Sequence, residues 1–88
     1  MINLNLEQFR TLVESGGVLS VTLQGVGKDF GVKIETRRGD AVLIGTNTKK
    51  QRTFADPRKA LLMLRELGVR TAKIDAESWN PEQSGINV

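Results

Sequence analysis

The stretch from Val18 to Arg37, VLSVTLQGVGKDFGVKIETR, decides the fold. Apolar and polar residues alternate over residues 18–24 and again over 30–37, and this period of two is typical of strands with one buried face. The glycine-punctuated segment between them, residues 25–29, predicts a tight turn. Because a parallel pair needs a long crossover connection, two strands joined by so short a turn must pair antiparallel.

Further strands are predicted downstream of this hairpin. They are Ala41–Ile44, Gln51–Phe54 and Arg70–Asp75. Phe54 in the second is expected to point inward, and Ala72 and Ile74 in the third are expected to face the core. The sequence therefore predicts an antiparallel sheet of about four or five strands.

Two amphipathic helices flank these strands. The first runs from Asn5 to Ser15, with Asn5 as N-cap and Gln8 completing a capping box. The second starts after Asp56, a good N-cap, with Pro57 at the first helical position and Gly68 as its stop. The order α-β-β-β-(β)-α-β then predicts an α+β fold, a two-layer sandwich with both helices on one face of the sheet.

The composition limits the class of protein. With 88 residues, 39% hydrophobic and 26% charged, the chain is typical of one globular domain, expected over residues 1–79, with a flexible tail over 80–88. Trp79 is expected to pack back on the domain. The absence of His and Cys removes the usual general base, thiol nucleophile and thiolate metal ligand. We therefore expect no enzymatic activity, no cofactor and no metal site.

No apolar run approaches the length of a membrane span, since the longest is the five residues 60–64. Residues 1–5 also lack the basic region that opens a signal peptide. The expected location is cytoplasmic, without contact to a membrane.

Positive charge is concentrated in the segment from Arg37 to Lys59. This segment holds seven of the thirteen Lys and Arg residues and two acidic residues, a formal charge of +5. The seven are Arg37, Arg38, Lys49, Lys50, Arg52, Arg58 and Lys59. They are the candidate nucleic-acid-binding residues, because Lys and Arg that neutralise phosphates supply sequence-independent affinity. DNA is the expected partner, with RNA left open.

Arg58 and Lys59 carry a further indication of anion binding. Cations in the first turn of a helix oppose the helix dipole, so local stability does not favour them there. A phosphate at this position would meet free backbone N–H groups as well as the two side chains. Arg37 and Arg38 are expected to flank this site if their turn lies on the same edge.

Two alternatives remain beside nucleic-acid binding. Basic loops also keep small domains soluble. The chain also fits a protein–protein adapter that docks on a partition protein or associates with itself through a sheet edge, and a homodimer would double the basic surface. Base stacking has little support, because Phe9, Phe30 and Phe54 occupy predicted core positions and only Trp79 is left.

One motif points to a turn instead of a site. Gly27-Lys28 shares two residues with phosphate-binding loops, but the upstream glycine spacing is missing and Asp29 stands where Ser or Thr is required. A hairpin turn is the better interpretation of these residues.

The opening MINLNLEQFR (residues 1–10) and the segment FADPRKALL (54–62) resemble the ParC-family plasmid partition-associated small proteins. The resemblance runs over residues 1–80. It implies an accessory factor of a bacterial plasmid or mobile element that works near the DNA-partition machinery. It transfers no site residue to this chain.

A second similarity concerns topology. Helix, three strands and helix, with Arg58-Lys59-Ala60 opening the second helix, are similar to the double-stranded RNA-binding domain. The first hairpin lacks that family's Pro-and-His pattern, and a strand follows the second helix. The similarity therefore concerns the type of surface, not membership of that family.

Overall fold

The computed structural model describes residues 1–81. The elements are β1 (Ile2–Leu4), α1 (Leu6–Glu14), β2 (Val18–Val26), β3 (Asp29–Thr36), β4 (Gly39–Leu43), β5 (Thr53–Phe54), α2 (Pro57–Leu67) and β6 (Lys73–Asp75). The α+β class is confirmed. Of the predicted tail 80–88, residues 82–88 lie outside the described part of the chain.

The sheet is mixed, so the prediction of an antiparallel sheet was wrong. Its order is β1-β4-β3-β2-β6, with β5 also paired to β3. β3 runs antiparallel to β2, β4 and β5, whereas β1 is parallel to β4 and β6 is parallel to β2. α1 connects β1 to β2 and α2 connects β5 to β6, and in both cases the two strands run in the same direction. β3 is therefore the one described strand that runs opposite to the others.

β4 and β5 lie along the same edge of β3. Lys33 pairs with Val42 in β4, and Gly31 pairs with Thr53 in β5. Residues 44–52, here called the basic loop, leave this edge between the two strands and return to it. The predicted strand Gln51–Phe54 is therefore real but shorter, and Phe54 packs against the core as expected.

One face of the sheet forms the core. Val21 pairs with Ile34, and Leu23 pairs with Val32, so these side chains lie on the same face, and all four are at most 2% exposed. Phe9 of α1 joins the same cluster, as do the residues of α2 that are buried: Ala60, Leu64 and Leu67. Both helices therefore cover one face, which confirms the two-layer sandwich.

The helix ends follow the sequence signals. The Asn5 side chain accepts a hydrogen bond from the Gln8 N–H at 2.8 Å, and the Gln8 side chain accepts one from the Asn5 N–H at 2.9 Å. Gly68 ends α2 with a left-handed φ of 99°. A residue with a side chain is strained in this conformation, so glycine is favoured here.

The C-terminal part of the described chain extends the sheet past β6. Trp79 forms a bridge with Gly27, and the Asn80 N–H donates to the Gly27 carbonyl at 2.7 Å. The Trp79 ring lies 5.1 Å from that of Phe30 between centroids. Trp79 has room because Gly25 has no side chain: a Cβ there would lie 2.7 Å from the Trp79 backbone nitrogen. The prediction that Trp79 packs on the domain is confirmed.

Of the two residues near β6 that were predicted to face the core, one is exposed. Ala72 packs against the core, but Ile74 is 56% exposed. Ile74 is in register with Leu23 and so lies on the helix-covered face. It is exposed because β6 is the outermost strand on its side of the sheet.

Candidate nucleic-acid interface

The seven predicted basic residues fall into two groups. Arg37 and Arg38 form the β3–β4 turn, next to the pair Thr36–Gly39. The other five lie near the opposite end of β3, where Phe30 pairs with Phe54. Six residues of strand separate the two ends, which corresponds to roughly 20 Å. Arg37 and Arg38 therefore do not flank the helix N-terminus, and the segment that is continuous in sequence is not one patch.

The basic loop is closed by its own hydrogen bonds. Ile44 bridges to Gln51, and the Gly45 N–H donates to the Lys50 carbonyl at 2.8 Å. The Arg52 N–H donates to the Leu43 carbonyl at 2.9 Å, which returns the chain to the sheet. Lys49 and Lys50 are thus presented on an ordered loop beside β5.

Lys49 has an unusual backbone conformation. Among residues 1–81 it is the only non-glycine residue with a positive φ, at 59°. An L-residue in this left-handed region costs roughly 1–2 kcal/mol. Its N–H donates to the Gly45 carbonyl at 3.1 Å, and that backbone contact needs no lysine side chain. Local stability favours glycine or asparagine here, so the fold does not explain the lysine.

Arg52 is held over an aromatic ring. Its guanidinium carbon lies 4.9 Å from the centroid of Phe54, within the range of a cation–π contact. Arg52 remains exposed. The ring therefore restrains the guanidinium without burying its N–H donors.

The N-terminus of α2 differs from the expectation. The Arg58 N–H donates to the Asp56 carboxylate at 2.9 Å, and the Lys59 N–H donates to the Asp56 carbonyl at 3.0 Å. Pro57 has no N–H to offer. The expectation that free N–H groups would meet a phosphate here was wrong, because Asp56, the residue that caps the helix, uses them. What remains for an anion is the exposed side chains of Arg58 and Lys59.

Lys28 belongs to the same end of the sheet. Lys28 lies in the β2–β3 turn two residues before Phe30, and Asp56 lies two residues after Phe54, the partner of Phe30, so both are at this end of the sheet. In the sequence, Lys28 is a lysine in a predicted hairpin turn. Its place beside the other five cations follows only from the pairing of β5 with β3. The six cations at this end are here called the basic end: Lys28, Lys49, Lys50, Arg52, Arg58 and Lys59.

The cations of the basic end are not used in ion pairs within the described chain. Over residues 1–81 the two salt bridges join Arg10 to Glu7 and Lys33 to Asp40. Asp29 and Asp56 are the acidic residues beside the basic end. The Asp29 carboxylate accepts a hydrogen bond from the Thr53 hydroxyl at 3.3 Å, and Asp56 caps α2. Six cations and two carboxylates give this end a formal charge of +4.

The open face of the sheet has a different character. A shallow polar depression there includes Lys33 and Lys73 together with Glu35, Asp40 and Asp75. These charges of both signs nearly cancel, and Lys33 lies 3.5 Å from Asp40. The depression has no aromatic lining residue on which a base could stack. The net positive charge of the basic end therefore has no counterpart on the open face.

Trp79 is a limited platform for stacking. One side of its ring contacts Phe30, and its Nε1–H donates to the Lys28 carbonyl at 3.1 Å. The side chain is 38% exposed. A nucleobase could reach only the outer side of the ring, next to Lys28.

Among residues 1–81, Thr36 is the one buried polar residue, and its hydroxyl donates to the Gly39 carbonyl at 2.7 Å and accepts from the Arg38 N–H at 3.0 Å. This hydroxyl stabilises the β3–β4 turn.

Within residues 1–81, no three His, Cys, Asp or Glu residues are grouped as metal ligands. Neither described helix is long and apolar enough to cross a membrane.

Compared with protein-family models and with curated protein sequences, the chain matches none.

Proposed function

We propose that this protein is a non-enzymatic nucleic-acid-binding domain that contacts phosphates through its basic end. The observation that carries the proposal is the placement of cations where folding does not favour them. Lys49 has a left-handed backbone, and Arg58 and Lys59 stand in the first turn of a helix with no acidic residue in that turn. None of the three has a salt-bridge partner among the described residues.

The contacts are made by side chains projecting from three elements. The β2–β3 hairpin supplies Lys28, the basic loop supplies Lys49, Lys50 and Arg52, and α2 supplies Arg58 and Lys59. Phosphate contacts of this kind fix position and carry no sequence information. We therefore propose low sequence specificity, with DNA as the main partner.

A cytoplasmic plasmid-maintenance role goes with this proposal. It is the role implied by the resemblance to ParC-family proteins, an accessory factor that contacts DNA near the partition machinery. Any sequence preference would then come from the partition proteins with which it acts.

The test is a titration of duplex DNA, duplex RNA and single-stranded DNA with three forms of the protein. The first is the wild type, and the second carries Lys49→Gln, Lys50→Gln and Arg52→Gln, which remove charge and keep side-chain length. The third is the matched control, Arg37→Gln with Arg38→Gln, at the far end of the sheet. We expect the triple variant to lose most of its affinity and the control to lose little. Equal losses of affinity in both variants would show that binding depends on the net charge of the protein and not on the basic end. No binding by the wild type at low salt would refute the proposal.

A further inference from the structure

The outer edge of β6 is free in the described chain. β6 (Lys73–Asp75) is the last strand of the sheet order and pairs only with β2 among residues 1–81. All three of its residues are exposed, and Ile74 presents an apolar side chain there. An edge of this kind offers unpaired backbone N–H and C=O groups to another strand.

The sequence of this edge is complementary to itself. If two copies of Lys73-Ile74-Asp75 are aligned antiparallel about Ile74, each Lys73 lies opposite Asp75 of the other copy. Directly opposite residues have Cβ atoms about 5 Å apart, close enough for ion pairs to form. Neither Lys73 nor Asp75 has a salt-bridge partner within the described chain. A parallel alignment would instead bring like charges together.

Apolar contacts favour the same alignment. Ile74 meets Ile74 of the second copy on the helix-covered side. Beside it, a groove of about 250 Å³ between α2 and the chain leading into β6 is lined by Leu61, Ala72 and Arg65 among others. Leu61 is 43% exposed. A second copy would therefore cover apolar surface that the monomer leaves in water.

We propose that the protein forms a homodimer in which the β6 strands of two copies pair antiparallel and join the two sheets. The strand at the other end of the sheet order, β1 (Ile2–Leu4), carries no charge, so it lacks this complementarity. The symmetry is two-fold and closed, as is usual for soluble dimers.

The dimer has a consequence for the basic ends, and this consequence, unlike the dimer itself, rests on the proposed function. Antiparallel pairing within one sheet places the two-fold axis perpendicular to the sheet. Strand directions are therefore reversed between the copies, and the two basic ends point in opposite directions. A dimer of this form does not enlarge one phosphate-binding surface but holds two nucleic-acid segments apart on opposite sides.

The test is the association constant measured by sedimentation equilibrium without nucleic acid, at about 50 mM salt to limit screening of ion pairs. Lys73→Asp and Asp75→Lys, each alone, place like charges opposite one another in both pairs. Each is expected to weaken the dimer about tenfold or more. The double variant Lys73→Asp with Asp75→Lys restores opposite charges and is expected to dimerise like the wild type.

A mixture of the two single variants provides an internal control. Its heterodimer pairs Asp with Lys at both positions and is expected to form more readily than either homodimer. A wild type that is monomeric up to about 1 mM, single variants that dimerise unchanged, or a double variant that remains monomeric would overturn the proposal. Circular dichroism of every variant checks the fold, and failure of nucleic-acid binding leaves all these outcomes measurable.

Discussion

Replacing Lys49 by glycine is expected to raise the stability of the protein and to weaken DNA binding, so it distinguishes the two roles of this residue. The left-handed backbone, with φ at 59°, costs an L-residue roughly 1–2 kcal/mol, and glycine removes this cost. Glycine also adds about 0.5–1 kcal/mol of backbone entropy to be lost on folding. The net expectation for Lys49→Gly is a gain in the free energy of unfolding of about 0.5–1 kcal/mol.

A gain of this size is measurable in a chain of 88 residues. It corresponds to a rise in Tm of about 2–8 °C. Lys50→Gly is the matched control, because it removes the same charge from the next residue, whose φ is not positive. It relieves no strain, so we expect it to lower the free energy of unfolding by about 0.4–1 kcal/mol. Both variants are expected to bind DNA more weakly than the wild type.

The assay is thermal unfolding followed by circular dichroism, with DNA affinity measured on the same samples. We expect Tm to rise for Lys49→Gly and to fall for Lys50→Gly, with similar losses of DNA affinity. This result would support the inference that Lys49 contributes to binding and not to stability. A fall in Tm for Lys49→Gly as large as that for Lys50→Gly would refute the strain argument. Unchanged affinity in both variants would remove the basic loop from the binding surface.

Other substitutions probe the core, the aromatic contact and the α2 cap. Leu64→Ala is expected to lower the free energy of unfolding by about 2–5 kcal/mol, because Leu64 is 1% exposed in the core, and urea denaturation measures the loss. Gly25→Ala is expected to displace Trp79 and to lower the free energy of unfolding by about 1–3 kcal/mol. Because the chain has one Trp, a red shift of its fluorescence reports the displacement, and an unchanged spectrum would contradict the packing described. Asp56→Asn keeps a capping side chain but removes the carboxylate, so DNA affinity is expected to rise while Tm changes little, and a fall in affinity would argue against a phosphate near Arg58.

The elements with local signals could be predicted from the sequence. The capping box of Asn5 and Gln8 and the Asp56-to-Gly68 boundaries of α2 depend on residues a few positions apart, and both are found. The alternation that defines β2 and β3 is also local. These signals determine the fold class and most of the core.

The remaining parts depend on pairing between distant residues. β1 is three residues long and is recognised as a strand only through its pairing with residues 41–43. Ile74 has the alternation of a core residue, but the sheet ends at β6, so its outer side has no neighbour. Propensity and periodicity do not indicate which strand lies at the edge.

The candidate site shows the same limit. Arg37 and Arg38 are near Lys49 in the sequence, but the length of β3 places them at the other end of the sheet. Lys28 is distant in sequence and is brought to the basic end by the pairing of β5 with β3. Counting charges along the chain therefore identified five of the six cations of the basic end. It also included Arg37 and Arg38, which lie at the other end of the sheet.

The salt dependence of DNA binding tests the basic end most directly. With four to six phosphate contacts, the slope of log K against log salt concentration is expected to be about −4 to −5 for the wild type. The variant lacking the charges of Lys49, Lys50 and Arg52 is expected to have a slope smaller in magnitude by about 2 to 3, and the Arg37 and Arg38 control is expected to keep the wild-type slope. A wild-type slope near zero, or the same slope in all three proteins, would contradict phosphate binding at this surface.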